Sequence, residues 1–343
     1  MQSFGAPPMR VMPGDTVAVV SPSFGAPGVW PHRAERGRAY LESLGLRVRM
    51  MPHAARADSW VSAPAEARAD DLHEAFADES IAVVLSSIGG NHSNQVLPYL
   101  DYELIGSHPK IFQAYSDTTV LAWAFARHAG LRSFYGPPLV LGLAEYPRVL
   151  DYTDRWLRAA WFGTEPLDYS PSEQWTEEFL DFDTQKTLER ARQLLRNEGW
   201  VNLREGAAQG PLIGGCLETI CWHLKGSSEW LDLSGCILFL ETSEEAPSPE
   251  TVDAYLTDLE RLGVFEDIAG LLMGRPAYYR PEDVAVLWEV VARRTESSCI
   301  PVLANLDFGH TDPLLTIPMG AEGYLDAGGH VLRVTEEATT NRS

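Results

Sequence analysis

Positive charge is scarce in this chain: 27 Lys and Arg stand against 48 Asp and Glu over 343 residues, a formal net charge of −21. A surface this acidic repels phosphate backbones and anionic lipid, so neither a nucleic acid polymer nor a membrane is an expected partner. Long apolar runs are missing too. No stretch reaches the ~20 apolar residues that span a bilayer. The opening "MQSFGAPPMRVMPGDTVAVV" has no basic segment followed by an unbroken apolar one. Cysteine is sparse: Cys216, Cys221, Cys236 and Cys299 form no CxxC pair, which reads as reduced thiols in a cytoplasmic protein. There is no HExxH and no Cys/His cluster at zinc spacing, so no metal and no cofactor is expected. "GGNHSN" lacks the phosphate-binding lysine of a P-loop. Internal repeats and low-complexity segments are absent.

What remains is 45% apolar and 22% charged residues, the balance of an ordinary globular protein. At ~100–200 residues per domain, the length suits two domains. The first half alternates short apolar runs with helical patterns. "TVAVV" (Thr16–Val20) and "IAVVLSS" (Ile81–Ser87) read as buried strands, "RVRMM" as a weaker one. "HRAERGRAYLESLG" and "APAEARADDLHEAFAD" read as helices, and another runs from about Asp117 to Gly130. This alternation predicts a mostly parallel sheet covered by helices.

From about Phe162 to Ala208 the pattern degrades. "DYSPSEQWTEEFLDFDTQ" is acidic, aromatic and turn-prone, and "KTLERARQLLRNEGW" is read as an added helix. A segment this long without sheet signals is a linker or a functional loop. The second half restarts with "GPLIGGCLETICWHLKG", read as a glycine turn and a helix. "CILFLET", "IAGLLMGRP" and "IPVLANLDFGH" read as strands, with "SPETVDAYLTDLERLG" and "PEDVAVLWEVVARR" as helices. Ser248 is the expected N-cap of the first of these, with Pro249 at its first position. "LLTIP", "AEGYLDAGG" and "HVLRVTE" close the chain as a hairpin-like set. The expected units are 1–163, a linker with an aromatic loop over 164–207, and 208–343. The first ten residues and the tail "EEATTNRS" are expected to be frayed.

In open parallel sheets, ligands bind outside the carboxyl ends of the strands. The unusual polar residues fall at such ends: Ser21-Pro22-Ser23, Ser87 to Asn91, Ser116, Glu241 and His310. In "KIFQAYSDTTVLAWAF" an apolar run meets a helical pattern across Tyr115-Ser116-Asp117-Thr118. A strand-to-helix turn holds its middle residue out of the sheet, with helix N–H groups behind it, as in a nucleophile elbow. Ala114 is small, as that turn requires, but Thr118 stands where G-x-S-x-G has its second glycine. The N–H of Asp117 would be free to meet a developing oxyanion. On these residues alone Ser116 is either a nucleophile or a helix cap.

A serine nucleophile needs a base, normally a histidine oriented by a carboxylate. His32, His53, His73, His128 and His223 have no strand-end placement. His92 and His108 lie near the cleft, and His330 sits in the closing hairpin. His310 in "DFGHTDP" combines a preceding glycine with a strand-to-loop position. Glu241 follows Ile-Leu-Phe-Leu directly, and a carboxylate ending a buried strand wants a partner. That partner is either His310 or a structural one.

Taken together, "VVSPS", "SSIGGNHSNQVLPYLDYELIGSHPKIFQAYSDTT", "EGWVNL", "GPLIGGCLET", "LFLETSEEAPSPE", "GLLMGRP" and "NLDFGHTDPLLTIPMG" resemble the LD-carboxypeptidase family of serine peptidases. The set is most similar to the branch of the microcin C self-immunity peptidases. The resemblance implies an N-terminal parallel-sheet α/β domain and a C-terminal β-rich α/β domain, with the active site between them, usually in a homodimer. It implies Ser116 as nucleophile, His310 as base and acid, and Glu241 orienting His310. It also implies main-chain oxyanion donors at Asp117 and at Gly90 or Asn91.

Murein-recycling members cut a terminal D-residue from a tetrapeptide. The immunity branch cuts an aminoacyl amide joined to a nucleotide-like group, and carries a longer aromatic loop. "EQWTEEFLDFDTQ" fits such a loop, so the expected substrate is a small peptide or peptidyl-nucleotide, with Trp175, Phe179 and Phe182 stacking on a base or merely anchoring the loop. Murein tetrapeptide cleavage is the alternative, and a binding module without chemistry a further one. The chain departs from the family pattern at Ala114, usually glycine, and Cys216, usually asparagine. Phe182 stands where the immunity branch often has tryptophan.

Overall fold

The computed structural model describes residues 4–341. Its first sheet grows from the predicted strand–helix alternation. β1 (Thr16–Val20) lies between β2 (Arg47–Met50) and β3 (Ile81–Ser86), followed by β4 (Ile111–Ala114) and β5 (Ser133–Tyr135), all parallel. The five β1 residues are all buried, as a strand sandwiched between helix layers requires. The helices Pro31–Ser43 and Ala65–Ala77 flank this order.

The second sheet has eight strands. β6 (Leu167–Tyr169) is at one edge and β9 (Val201–Arg204) at the other, both outside the two regular halves of the sequence. A two-stranded ribbon, β7 (Gln174–Trp175) with β8 (Leu195–Arg196), stands apart. The centre is parallel: β10 (Ala207–Cys216), β11 (Ile237–Glu241), β12 (Gly270–Gly274) and β13 (Val302–Leu306). The remaining pairings are antiparallel, including the hairpin of β15 (Glu322–Asp326) with β16 (Val331–Val334). The fold is thus the expected pair of α/β units, the first mostly parallel and the second mixed and richer in strand.

Four local expectations are corrected. "GPLIGGC" is the end of a ten-residue strand, because it is held on one side by β15 and on the other by β11. "KTLERARQLLRNEGW" forms a single 3₁₀ turn, Lys186–Leu188, and then extends. Its arginines are drawn to separate carboxylates, Arg190 to Glu178 and Arg192 to Glu145 and Asp312, which pulls the segment straight. β14 (Ile317–Met319) does not join the closing hairpin; it pairs antiparallel with β5 and completes the first sheet. The tail is tied rather than frayed as far as Asn341: Arg10 donates to the Thr340 carbonyl, Thr340 donates to that of Pro8, and Thr339 is fully buried. Met1 to Ser3, Arg342 and Ser343 lie outside the described residues.

One apolar core runs through both units. Trp123, on the helix behind Ser116, is fully buried, and its Nε1 donates to the Gly214 carbonyl of β10 at 2.9 Å. Ser248 caps the helix Pro249–Arg261 as expected, accepting from the Thr251 N–H.

Candidate active site

Ser116 follows β4 at the carboxyl edge of the first sheet, and its φ is +54°. A non-glycine residue in the left-handed region is strained, and the strain is paid for by the packing around it. Here Tyr115 and Thr118 brace each other: the Tyr115 N–H donates to Thr118 Oγ1, and Thr118 Oγ1 donates back to the Tyr115 carbonyl, both at 2.8 Å. Ala114 is fully buried, and its φ is not in the positive region, so its methyl group is accommodated.

His310 and Glu241 come from the second sheet. His310 Nε2 lies 3.1 Å from Ser116 Oγ. His310 Nδ1 lies 2.7 Å from Glu241 Oε2, to which it donates. Glu241 is fully buried, among the described residues no arginine or lysine forms an ion pair with it, and its other oxygen accepts from the Tyr135 hydroxyl at 2.5 Å. The same Tyr135 oxygen accepts from the Ser116 N–H at 2.9 Å. One phenol at the end of β5 therefore ties the carboxylate of one unit to the serine backbone of the other. Gly309 has φ +109°, and a Cβ there would stand 2.8 Å from Glu241 Oε2, so only glycine lets the His310 loop close over the carboxylate.

A second carboxylate also reaches the ring. Glu244 Oε2 is 3.0 Å from His310 Nε2, its side chain 63% exposed while that of His310 is 5% exposed. Burial pulls the His310 pKa down, but Glu241 and then Glu244 outweigh it and hold the imidazole well above its usual range.

The loop after β3 packs against the serine. A Cβ on Gly89 would lie 2.9 Å from Ser116 Oγ and 3.2 Å from the Asp117 nitrogen, so the missing side chain leaves room for a reacting group. Gly90, at φ +140°, borders the same cavity as Ser116. The Asp117 side chain turns away and accepts from the N–H groups of His92 and Ser93 at 3.0 and 2.9 Å, and Ser93 Oγ donates to its carbonyl. Asp117 thereby fixes the glycine loop. Asn91 is exposed and does not line the cavity.

Ser116 and His310 open into a cavity of about 290 Å³. One wall is aromatic: Phe24, Trp30, Phe179 and Phe182. Phe182 is nearly buried, with the Trp30 ring 5.2 Å away, the Phe179 ring 5.1 Å away, and the Arg33 guanidinium 4.3 Å above it. Trp175, expected at the substrate, is instead in the ribbon over the Arg275 guanidinium, 5.1 Å away, and does not line the cavity. Phe182 and the 62%-exposed Phe179 do. Cys216 is buried, its N–H donating to Thr119 Oγ1 and its thiol to Glu218. Its pKa is pushed far up, first by burial and then by Glu241, so the thiol stays neutral. Sequence reasoning passed over Tyr135, Trp30 and Glu244, and placed Gly89 at a strand end without giving it a role. Tyr135 and Glu244 each carried a signal, one ending a strand and one three residues beyond Glu241.

A hydroxyl, an imidazole and a buried carboxylate in series, spanning two α/β units, are the equipment of a serine hydrolase. The comparisons place that equipment in a family. Residues 17–136 match the LD-carboxypeptidase N-terminal domain and residues 209–325 the LD-carboxypeptidase C-terminal domain. The chain belongs to the LD-carboxypeptidase family of serine peptidases. It is 32% identical over 320 residues to YocD of Bacillus subtilis (strain 168), covering 93% of this chain and 95% of the relative. It is 30% identical to the microcin C7 self-immunity protein MccF of Escherichia coli, over 97% of this chain and 96% of the relative. The solved structure of MccF in complex with aspartyl sulfamoyl adenosine superposes with a TM-score of 0.88 at 29% identity, covering 98% of this chain and all of that one.

Proposed function

We propose that this protein is a carboxypeptidase-type hydrolase that cleaves an amide near the C-terminus of a small peptide or peptidyl-nucleotide, with Ser116, His310 and Glu241 as its triad. His310 Nε2 takes the proton from Ser116 Oγ as that oxygen attacks the carbonyl. Glu241 accepts from Nδ1–H, fixing the tautomer and balancing the imidazolium. The main-chain N–H groups of Asp117 and of Gly90 or Asn91 receive the oxyanion. The imidazolium then protonates the leaving amine, and water opens the acyl-enzyme by the same relay in reverse.

The observation that carries this reading is the 3.1 Å approach of Ser116 Oγ to His310 Nε2 at the floor of an aromatic-walled cavity. The aromatic wall favours a peptidyl-nucleotide over a murein peptide, since the exposed Phe179, backed by Phe182, offers a ring face to a base. MccF with its bound aspartyl sulfamoyl adenosine supports the same preference. In this reading residues 1–163 supply the nucleophile, 164–207 the aromatic loop and 208–343 the acid and base. The resemblance also supports a homodimer in the cytoplasm, and light scattering of the purified protein tests the dimer.

The decisive experiment incubates the protein separately with aspartyl sulfamoyl adenosine and with a murein tetrapeptide, with products read by mass spectrometry. Cleavage of the nucleotide is expected. Cleavage of the tetrapeptide alone moves the protein to the murein-recycling alternative. Cleavage of neither, with no fluorophosphonate labelling of Ser116, makes it a binding module.

A further inference from the structure

Glu244 is the carboxylate in the cavity that the triad does not use. It sits on the segment after β11, on the second unit's wall, whereas Phe24, Trp30, Phe179 and Phe182 come from the first unit and the linker. The cavity's other charges are committed. Arg192 is paired with Glu145 and Asp312, and Arg190 with Glu178. Arg33 donates to the carbonyls of Val140 and Leu141. Among the described residues the one ionic partner of Glu244 is His310.

The backbone leading to this carboxylate is fixed. Buried Glu218 accepts from the Ser243 N–H at 2.8 Å and from Ser243 Oγ at 2.6 Å, fixing the residue just before Glu244. Ala246, just beyond, is in the left-handed region at φ +45°. A carboxylate 3.0 Å from His310 Nε2 presents the base with a difficulty. Protonated Nε2–H donates to Glu244, whereas neutral Nε2 accepts from Ser116. Glu244 favours the first state, in which His310 cannot act as a base. The conflict is removed when another cation takes the carboxylate.

We propose that Glu244 is a specificity residue that receives the free α-ammonium group of the substrate's acyl residue. This rests on the nucleotide reading above, which puts the nucleotide-like leaving group on the aromatic wall and the acyl residue toward Glu244, and it narrows that reading from peptidyl- to aminoacyl-nucleotides. The α-nitrogen is bonded to the carbon next to the scissile carbonyl, so an ammonium there arrives beside the Ser116–His310 pair. It draws Glu244 off Nε2 and leaves that nitrogen to accept from Ser116. The substrate class is then narrowed to aminoacyl amides with an unblocked α-amine. In a murein tetrapeptide the residue before the scissile bond carries an acylated, uncharged α-nitrogen, and it fails this requirement.

The test compares aspartyl sulfamoyl adenosine with its malyl analogue, in which a hydroxyl replaces the α-ammonium at nearly the same size. A charge-assisted hydrogen bond predicts that the wild type favours the ammonium substrate by ~10- to 100-fold in kcat/KM. Glu244→Gln is expected to compress that ratio to within ~3-fold, with the kcat and KM components showing where the loss falls. Fluorophosphonate labelling of the variant at Ser116 establishes that its site is assembled, and Glu244→Asp is expected to restore part of the preference. Equal hydrolysis of both compounds by the wild type, or an unchanged ratio in Glu244→Gln, overturns the role of Glu244 and leaves the function reading intact. Hydrolysis of neither, together with cleavage of a murein tetrapeptide, overturns both.

Discussion

Two carboxylates stand at the carboxyl ends of β11 and β13, both fully buried, and they are held in opposite ways. Asp307 is saturated. It takes the Arg275 guanidinium at 2.6 Å, Ser172 Oγ at 2.5 Å, the Ser172 N–H at 3.1 Å, Trp200 Nε1 at 3.0 Å and the Tyr152 hydroxyl at 3.3 Å. These donors come from the first unit, the linker and the second unit, so Asp307 is a clamp. Glu241 has a phenol and an imidazole and, among the described residues, no arginine. A carboxylate neutralised by a fixed cation has little left to offer a reacting group. One left with only a titratable partner keeps its charge for the imidazolium. The carboxylate that faces His310 is the one that, among the described residues, has no fixed cation as its partner.

The contrast can be broken from the nucleophile outward. Ser116→Ala should lower turnover by ~10⁶-fold if the three side chains act as a unit, and residual activity above about a tenth would remove Ser116 from the mechanism. Glu241→Gln should cost ~10⁴-fold in kcat with little change in melting temperature, because the amide keeps the shape and loses the charge. Asp307→Asn should do the reverse. It leaves Arg275 buried without its counter-charge, and chemical denaturation should record a loss of about 3–5 kcal/mol. If Asp307→Asn spares stability while Glu241→Gln unfolds the protein, the assignment of clamp and relay is inverted.

Smaller effects sharpen the picture. Tyr135→Phe removes the hydroxyl shared by Glu241 and the Ser116 N–H, and should reduce kcat by ~10- to 100-fold with KM nearly unchanged. The pH profile is the subtlest readout. Burial pulls the His310 pKa down, yet Glu241 and Glu244 prevail and raise it. The base is therefore protonated to higher pH than a free imidazole, and the rising limb of kcat/KM should lie above the usual histidine range. Glu244→Gln removes one of the two anions and should move that limb to lower pH. A limb that stays put would mean Glu244 does not act on the ring in solution.

The parallel strands and the residues at their carboxyl ends were legible because β-branched runs and strand-end polar residues are local signals. Ser116, His310 and Glu241 could be nominated one by one, and the resemblance joined them. The segment 164–207 was not legible. Its conformation is set by distant partners: Ser172 and Trp200 by Asp307, Thr176 and Arg192 by Asp312. Helix-favouring residues such as those of "KTLERARQLL" lose to these long-range bonds. Trp175 misled for the same reason, since a ring's neighbour across the fold cannot be read from its position in the chain. Tyr135 escaped notice because its one signal, ending a strand, belongs to a strand of only three residues, too short to stand out from the sequence.

β14 carries a consequence for how the molecule comes into being. The serine-bearing sheet is finished by residues 317–319, which follow Ser116, Glu241 and His310 in the chain. Its edge strand β5, which ends in Tyr135, stays uncovered on the ribosome until the parallel strands of the second sheet have been made. A product that stops short of β14 would therefore expose a raw sheet edge beside Tyr135.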